Sequence, residues 1–114
     1  MFAFRTFLVT FLIVLVGYTS VVIGNHGAGL VPIFFGDMAK MAWPGQFNLD
    51  FFGFLCLSGL WTAWRNEFSP VGVILGLVAV TGGMLFLTIY LLVLSFQARG
   101  DMAEVLLGRK RAAA

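Results

Sequence analysis

Long stretches without a charge constrain this chain more than any other feature of its sequence. No residue between Thr6 and Gly36 carries a formal charge, and none between Pro70 and Gln97 does. A soluble domain has about 25% charged residues, whereas this chain is 11% charged and 61% apolar. The pattern predicts an all-α integral membrane protein in which residues 1–114 form a single transmembrane domain.

The first apolar run is long enough to cross a bilayer as a helix. Thr6–Ile23 contains 18 residues, or about 27 Å of helix, close to a hydrocarbon core of about 30 Å. We therefore expect a first span over 6–24. A secretory signal peptide is the alternative, but the run is long for one and no A-x-A-like cleavage site follows it.

The next run, between Asp50 and Arg65, has only 14 residues. We expect this second span to begin earlier and to cover 47–64, with Asp50 in its first turn. There the helix dipole favours an acid, and the carboxylate can reach headgroup water as a cap. Trp61 and Trp64, followed by Arg65, are typical of the opposite membrane interface.

The third predicted span covers 70–97. Ser69 followed by Pro70 is a helix start, because serine caps the free amide groups and proline fits the first turn. Arg99 anchors its other end. The basic tail, 98–114, contains a short amphipathic stretch and the triplet Arg109-Lys110-Arg111.

Residues 30–43 are too charged to span a membrane. Their apolar residues recur at helical spacing, while Asp37 and Lys40 lie on another face. This pattern predicts a short helix lying in the membrane interface between the first two spans, anchored by Trp43 and ended by Pro44-Gly45. A structureless aromatic loop is the alternative.

Three spans would place the termini on opposite sides of the membrane. One side would hold Arg5 and Arg65, and the other Lys40, Arg99 and the Arg109–Arg111 triplet. Cytoplasmic loops carry the excess of Lys and Arg. We therefore expect a multi-pass protein of a bacterial inner membrane with a cytoplasmic C-terminus.

Stripes of small residues are the strongest functional signal in the sequence. Such faces let two helix backbones approach closely in lipid. They serve either to pack this chain's own helices together or to bind a partner. The stripes are Gly72, Gly76, Ala79 and Gly83 in the third span, Gly59 and Ala63 in the second, and Thr10, Gly17, Ser20 and Gly24 in the first.

Chemistry-bearing residues are few. His26, in a glycine-rich connection after the first span, is a candidate ligand for haem iron or chlorophyll magnesium, although an interfacial polar role is more common. The single Cys56 excludes multi-cysteine metal sites, and no serine has a His–acid partner. The sequence predicts neither an enzyme nor a metal site, and a net charge of +2 does not favour nucleic-acid binding.

The layout resembles small uncharacterised three-helix membrane proteins of bacteria, grouped in families of unknown function. The resemblance is carried by Ala42-Trp43-Pro44-Gly45, the acidic start at Asp50, the Trp61-to-Arg65 exit and Gly82-Gly83. In architecture the chain is also similar to accessory subunits of photosynthetic and respiratory membrane complexes. The families of unknown function imply no activity for this chain, and the similarity to accessory subunits concerns architecture only.

These features together predict a non-catalytic accessory subunit of a larger energy-transducing assembly, either light-harvesting, reaction-centre or respiratory. Its partners would be membrane lipids and larger membrane subunits, with lipid or tetrapyrrole pigment bound at neighbouring subunits. Two alternatives stay open. One is a homo-oligomeric transporter or channel in which Asp50 lines a shared path, and the other is a cofactor carrier that uses His26.

Overall fold

The structure, a computed structural model, describes all 114 residues and is entirely helical, with 85% of residues in helices and no strand. The predicted all-α class is confirmed. Six helices follow one another along the chain: α1 (Phe2–His26), α2 (Leu30–Ala39), α3 (Trp43–Arg65), α4 (Pro70–Gln97), α5 (Met102–Leu107) and α6 (Arg109–Ala113).

The outer surface of the fold is apolar. Only 14 of 114 residues are buried, while Ile13, Phe54 and Leu77 are each about two-thirds exposed. Soluble monomers rarely expose apolar patches larger than a few hundred Å². By length and composition alone, α1 and α4 are candidate membrane-spanning helices, which is compatible with a membrane protein, although α4 is broken at Gly83 and only α1 is continuous. Helix α3, which contains the predicted span 47–64, is not one of these candidates, so three membrane spans are not confirmed.

Helix α4 starts as the sequence predicts. The Gly72 amide donates to Ser69 Oγ at 3.1 Å, and Pro70 occupies the first turn. The helix is broken at Gly83, however, where φ is 55° and ψ is −140°. A left-handed φ of this kind favours glycine, because it has no Cβ to clash. The break divides α4 into a first arm, 70–82, and a second arm, 84–97.

The contacts of the two arms show that the chain reverses at Gly83. Asn66 Nδ2, just before α4, donates to Tyr90 Oη at 2.8 Å. In a straight helix Tyr90 would lie about 30 Å beyond Pro70. The prediction of one unbroken span over 70–97 is therefore wrong. The arms form a hairpin, and at the usual helical rise each is only about 20 Å long.

Helix α3 packs against both arms. Gly59 meets the backbone of Gly76 in the first arm, and Trp61 stacks edge-on against Tyr90 in the second. Gly83, at the tip, lies against the side chains of Phe51 and Leu55. Helix α3 thus runs antiparallel to the first arm and parallel to the second.

Helix α3 begins at Trp43, four residues before the predicted start. The sequence predicts that Pro44 ends the preceding helix. In the structure Pro44 instead lies in the first turn of α3, where its missing amide costs nothing. Asp50 consequently lies in the second turn, and the first turn contains no acid. The predicted capping position of Asp50 is wrong.

Helix α2 does form within the predicted segment 30–43, but it pairs with α3. Asn48 Nδ2 donates to the Phe34 carbonyl at 3.0 Å, the rings of Phe34 and Phe52 are 6.4 Å apart, and Gly45 faces the Met38 backbone. These contacts run in opposite directions along the two helices, so α2 lies antiparallel to the first turns of α3. Its predicted interfacial position is not confirmed.

Helix α1 begins at Phe2 rather than near Thr6. The N-terminal half of α1 contacts α4. Arg5 donates from Nε to Ser95 Oγ at 3.0 Å and from an Nη to the Ser95 carbonyl at 2.9 Å. Met1 lies beside Gly100. Residues 1 and 100 are thus at one end of the molecule, and the predicted placement of the termini on opposite sides is wrong.

Candidate functional site

The small residues of α3 and α4 face each other. A Cβ on Gly76 would lie 2.8 Å from the Gly59 carbonyl oxygen and 3.3 Å from Ala63 Cβ, and Ala79 is fully buried. Gly72 packs instead on Asn66 and Ser69 in the connecting turn, and Gly83 forms the hairpin tip. This stripe is occupied within the chain and offers no surface to a partner.

The small residues of α1 face outward. A Cβ added at Gly17 or Gly24 would meet nothing within 4 Å, and every residue from 16 to 33 is exposed. Ser20 Oγ donates to the Val16 carbonyl of its own helix at 2.7 Å, and Thr10 is also exposed. This surface, Thr10, Gly17, Ser20 and Gly24, is termed the small face of α1.

Two features leave the small face free: it is turned away from α4, and every residue of α1 after Leu15 is exposed. The residues of α1 that are buried or half-buried against α4 lie on one side of the helix: Phe4, Arg5, Leu8, Leu12 and Leu15. Gly17 follows the fully buried Leu8 by nine residues, which at about 100° per residue is a rotation of about 180°. The small face is therefore directed away from α4.

Asp50 and His26 stand alone. Asp50 is exposed on α3 and belongs to neither ion pair of the molecule, Asp37–Lys40 and Glu104–Arg109. His26 lies in the last turn of α1, rather than past its end, and is exposed. No group of three or more His, Cys, Asp or Glu residues comes together to hold a metal.

The predicted interface anchors of α3 hold the tail of the chain. Trp61 Nε1 donates to the Leu106 carbonyl at 3.0 Å. Arg65 donates from Nε to the Val105 carbonyl at 2.6 Å and from an Nη to the Glu104 carbonyl at 3.1 Å. Val105, fully buried, completes a small core with Leu94 and Ala98.

The remaining anchors lie apart from that core. Trp64 is covered on one side by the Arg111 guanidinium, 4.0 Å from the ring centroid, which also donates to the Trp64 carbonyl. Arg99 is exposed in the turn after α4, and Trp43 is exposed at the opposite end of α3. Sequence patterns did not indicate the docking of the tail on α3, because carbonyl acceptors leave no residue signature.

An apolar groove of about 480 Å³ opens beside the hairpin tip, lined by Phe51, Phe54, Gly83 and Leu87 among others. Ser58 lines it as well, and its hydroxyl is the one buried side-chain oxygen without a hydrogen-bond partner. A lining of this kind suits a hydrocarbon chain.

No protein-family model, curated protein or solved structure matches this chain. The resemblance to small bacterial membrane proteins stays a prediction from the sequence layout.

Proposed function

We propose that this chain is a non-catalytic accessory subunit of a larger assembly in a bacterial inner membrane, and that it binds its neighbour through the small face of α1. The observation that carries the proposal is the contrast between the two sides of α1. Up to Leu15 one side of the helix is bulky and rests on α4, whereas Gly17 and Gly24, on the opposite side, meet nothing.

Packing in lipid supports this role. Inside a bilayer the hydrophobic effect does not drive two apolar helices together, because their surfaces are already out of water. Association therefore depends on close van der Waals contact, which small residues allow. Gly17, Ser20 and Gly24 recur on one face over about two turns. A helix face that contacts only lipid does not need small residues, because bulkier apolar residues suit lipid equally well.

The nature of the assembly is proposed from the sequence layout. We favour an energy-transducing complex, light-harvesting, reaction-centre or respiratory, with pigment or lipid at the neighbouring subunits. The chain itself contributes a helical element that fills a gap or seals an edge of the complex.

Charge supports one orientation in the membrane. Six of the seven Lys and Arg residues lie at the end that carries residues 1 and 100, and only Lys40 lies at the other end of α3. By the positive-inside rule, this basic end is cytoplasmic. Both Met1 and the basic tail are then on the cytoplasmic side.

Co-purification tests the accessory role. We expect the wild-type chain, extracted in mild detergent, to co-purify with larger membrane subunits that mass spectrometry can identify. Gly17→Leu combined with Gly24→Leu should reduce their recovery five- to hundred-fold, since overpacking costs about 1–3 kcal/mol. The chain should still insert, because leucine favours lipid.

Val22→Leu is the matched control. It also adds bulk to α1, but on the side turned away from the small face, so recovery should be unchanged. Full recovery of the partner subunits with the double glycine variant would show that the small face is not the interface. Purification of the wild type without any partner would refute the accessory role itself.

A homo-oligomeric transporter is the second candidate, favoured by one observation. Asp50 is an exposed carboxylate without an ion partner on a largely apolar helix, and an ionisable group in such a position is a functional candidate. Asp50→Asn should abolish ion flux in reconstituted vesicles if the acid lines a shared path. Under the accessory role, recovery of the parent complex should not change.

A further inference from the structure

A concave basic site lies where the tail docks on α3. It is termed the basic pocket, has a volume of about 260 Å³, and is lined by four cations, Arg65, Arg109, Lys110 and Arg111, with one acid, Glu67. We infer that this pocket binds the phosphate of an anionic phospholipid headgroup.

The two arginines of the pocket wall are held in place by acceptors that carry no charge. Arg65 bonds only to the carbonyls of Val105 and Glu104, and Arg111 to the Trp64 carbonyl. A guanidinium has five N–H donors, so donors remain on each. Neither arginine makes an ion pair, and planar guanidinium groups of fixed orientation suit phosphate oxygens.

The other two cations are free to reach a ligand. Lys110 has no hydrogen bond or ion pair, and Arg109, 85% exposed, makes one loose contact of 3.9 Å with Glu104. Gly108 fixes the backbone between these cations and α3. A Cβ there would lie 3.1 Å from the Arg65 carbonyl oxygen, and its φ is 88°.

Charge balance favours an anion at this end of the molecule. The basic end holds six cations against three acids, Glu67, Asp101 and Glu104, a net charge of +3. The other end holds Lys40 against Asp37 and Asp50, a net charge of −1, and the two sum to the formal +2. Anionic headgroups attract such clusters.

The position of the pocket favours a lipid over a dissolved anion. Trp64, an aromatic residue of the kind found at headgroup depth, borders the pocket through Arg111. The apolar surface of α3 begins directly beyond it, so acyl chains can follow that surface while the phosphate stays in the pocket. This inference needs the chain to lie in a bilayer, as proposed above, but not a partner subunit.

Native mass spectrometry of the purified full chain in detergent tests the inference, with phosphatidylglycerol and phosphatidylcholine as probes. We expect bound phosphatidylglycerol in preference to phosphatidylcholine. Arg109→Gln combined with Lys110→Gln should weaken phosphatidylglycerol binding roughly thirty-fold, since each cation near anionic lipid is worth about 1 kcal/mol. Neither side chain holds the tail, so the fold should persist, which intrinsic tryptophan fluorescence can verify.

The control double variant, Arg99→Gln with Lys40→Gln, removes the same net charge outside the pocket and should change binding by less than about two-fold. Equal weakening in both double variants, or no preference for phosphatidylglycerol, would overturn the inference. Displacement of the lipid by millimolar inorganic phosphate would assign the site to a free anion instead. Because no partner subunit is present, failure here is separate from failure of co-purification, and flotation with liposomes tests the membrane placement independently.

Discussion

The α3–α4 contact and the small face of α1 both contain glycines within a stripe of small residues, yet they have opposite surroundings. Gly59 and Gly76 meet backbone to backbone, whereas Gly17 and Gly24 have no neighbour at all. A stripe of small residues therefore specifies how closely another helix can approach. It does not specify whether that helix belongs to the same chain or to a different molecule.

Chain connection decides which stripe is filled internally. Helices α3 and α4 are joined by four residues, 66–69, so each stripe finds the other at a high effective concentration. Helix α1 is tied to α4 through Arg5 at its base, and its bulky side rests there. The small face is left without a neighbour within the chain.

Gly76→Leu tests the filled stripe and should have the largest effect. Its Cβ would lie 2.8 Å from the Gly59 carbonyl oxygen, a backbone atom that cannot move aside. We expect a loss of about 3 kcal/mol in the free energy of unfolding, measured by circular dichroism during denaturation in mixed micelles. Leu77→Ile, on the exposed side, should change the stability by at most about 0.5 kcal/mol. Equal stability of the two variants would mean that the helices do not meet at Gly76.

Gly83→Ala tests the reversal on which the contact of α3 with both arms depends. An L-residue at φ 55°, ψ −140° is strained by about 1–3 kcal/mol. Spin labels at Val71→Cys and Gln97→Cys, with Cys56→Ser, report the result by pulsed electron resonance. The labels should be close in the parent protein, and a population at about 40 Å, the separation expected along a straight helix, should appear in the variant. The same long distance in the parent protein would contradict the hairpin.

Arg5→Gln tests the attachment of α1. It removes two charge-assisted hydrogen bonds to Ser95 and the contact of the guanidinium with the Phe96 ring, 4.1 Å away. We expect the free energy of unfolding to fall by an amount at the lower end of about 1.5–3 kcal/mol, because the site is only partly buried. Limited proteolysis should then release α1 sooner, while the α3–α4 contact stays intact. Arg99→Gln, which removes a cation without hydrogen bonds, provides the comparison.

Gly17→Leu should have the smallest effect. With nothing within 4 Å of its Cβ position, the isolated chain should keep its free energy of unfolding within about 0.5 kcal/mol, by the same denaturation assay. Set beside Gly76→Leu, this difference measures how far the two stripes diverge. A loss as large as that of Gly76→Leu would show that α1 packs inside the chain.

Local signals in the sequence predicted part of this fold correctly. The uncharged run after Arg5 indicated α1, and Ser69-Pro70 marked the start of α4, where Ser69 is the predicted cap and accepts from the Gly72 amide. The spacing of Met102, Val105 and Leu106 indicated an amphipathic stretch, of which Val105 is buried while Met102 and Leu106 are exposed. Each of these signals depends only on residues close in the chain.

The remainder depended on contacts between distant residues. Gly82-Gly83 was visible as an interruption, but apolar periodicity cannot tell a tolerated glycine from a reversal. Pro44 is compatible with the end of one helix and the beginning of the next. The docking of the tail on Arg65 was not predicted, because the acceptors of Arg65, the carbonyls of Glu104 and Val105, lie about 40 residues further along the chain.

In the membrane placement proposed above, the hairpin of α4 has a consequence for the response of the molecule to voltage. Both arms enter and leave at the same end, and residues 70–97 carry no charge. A shift of the hairpin along α3 would therefore move no charge across the bilayer, and the membrane potential, worth about 2.3 kcal/mol per elementary charge per 100 mV, would do no work on it. In the orientation proposed above, the six cations of the basic end would by contrast hold that end at the membrane surface. A change in the depth of the hairpin would be electrically silent.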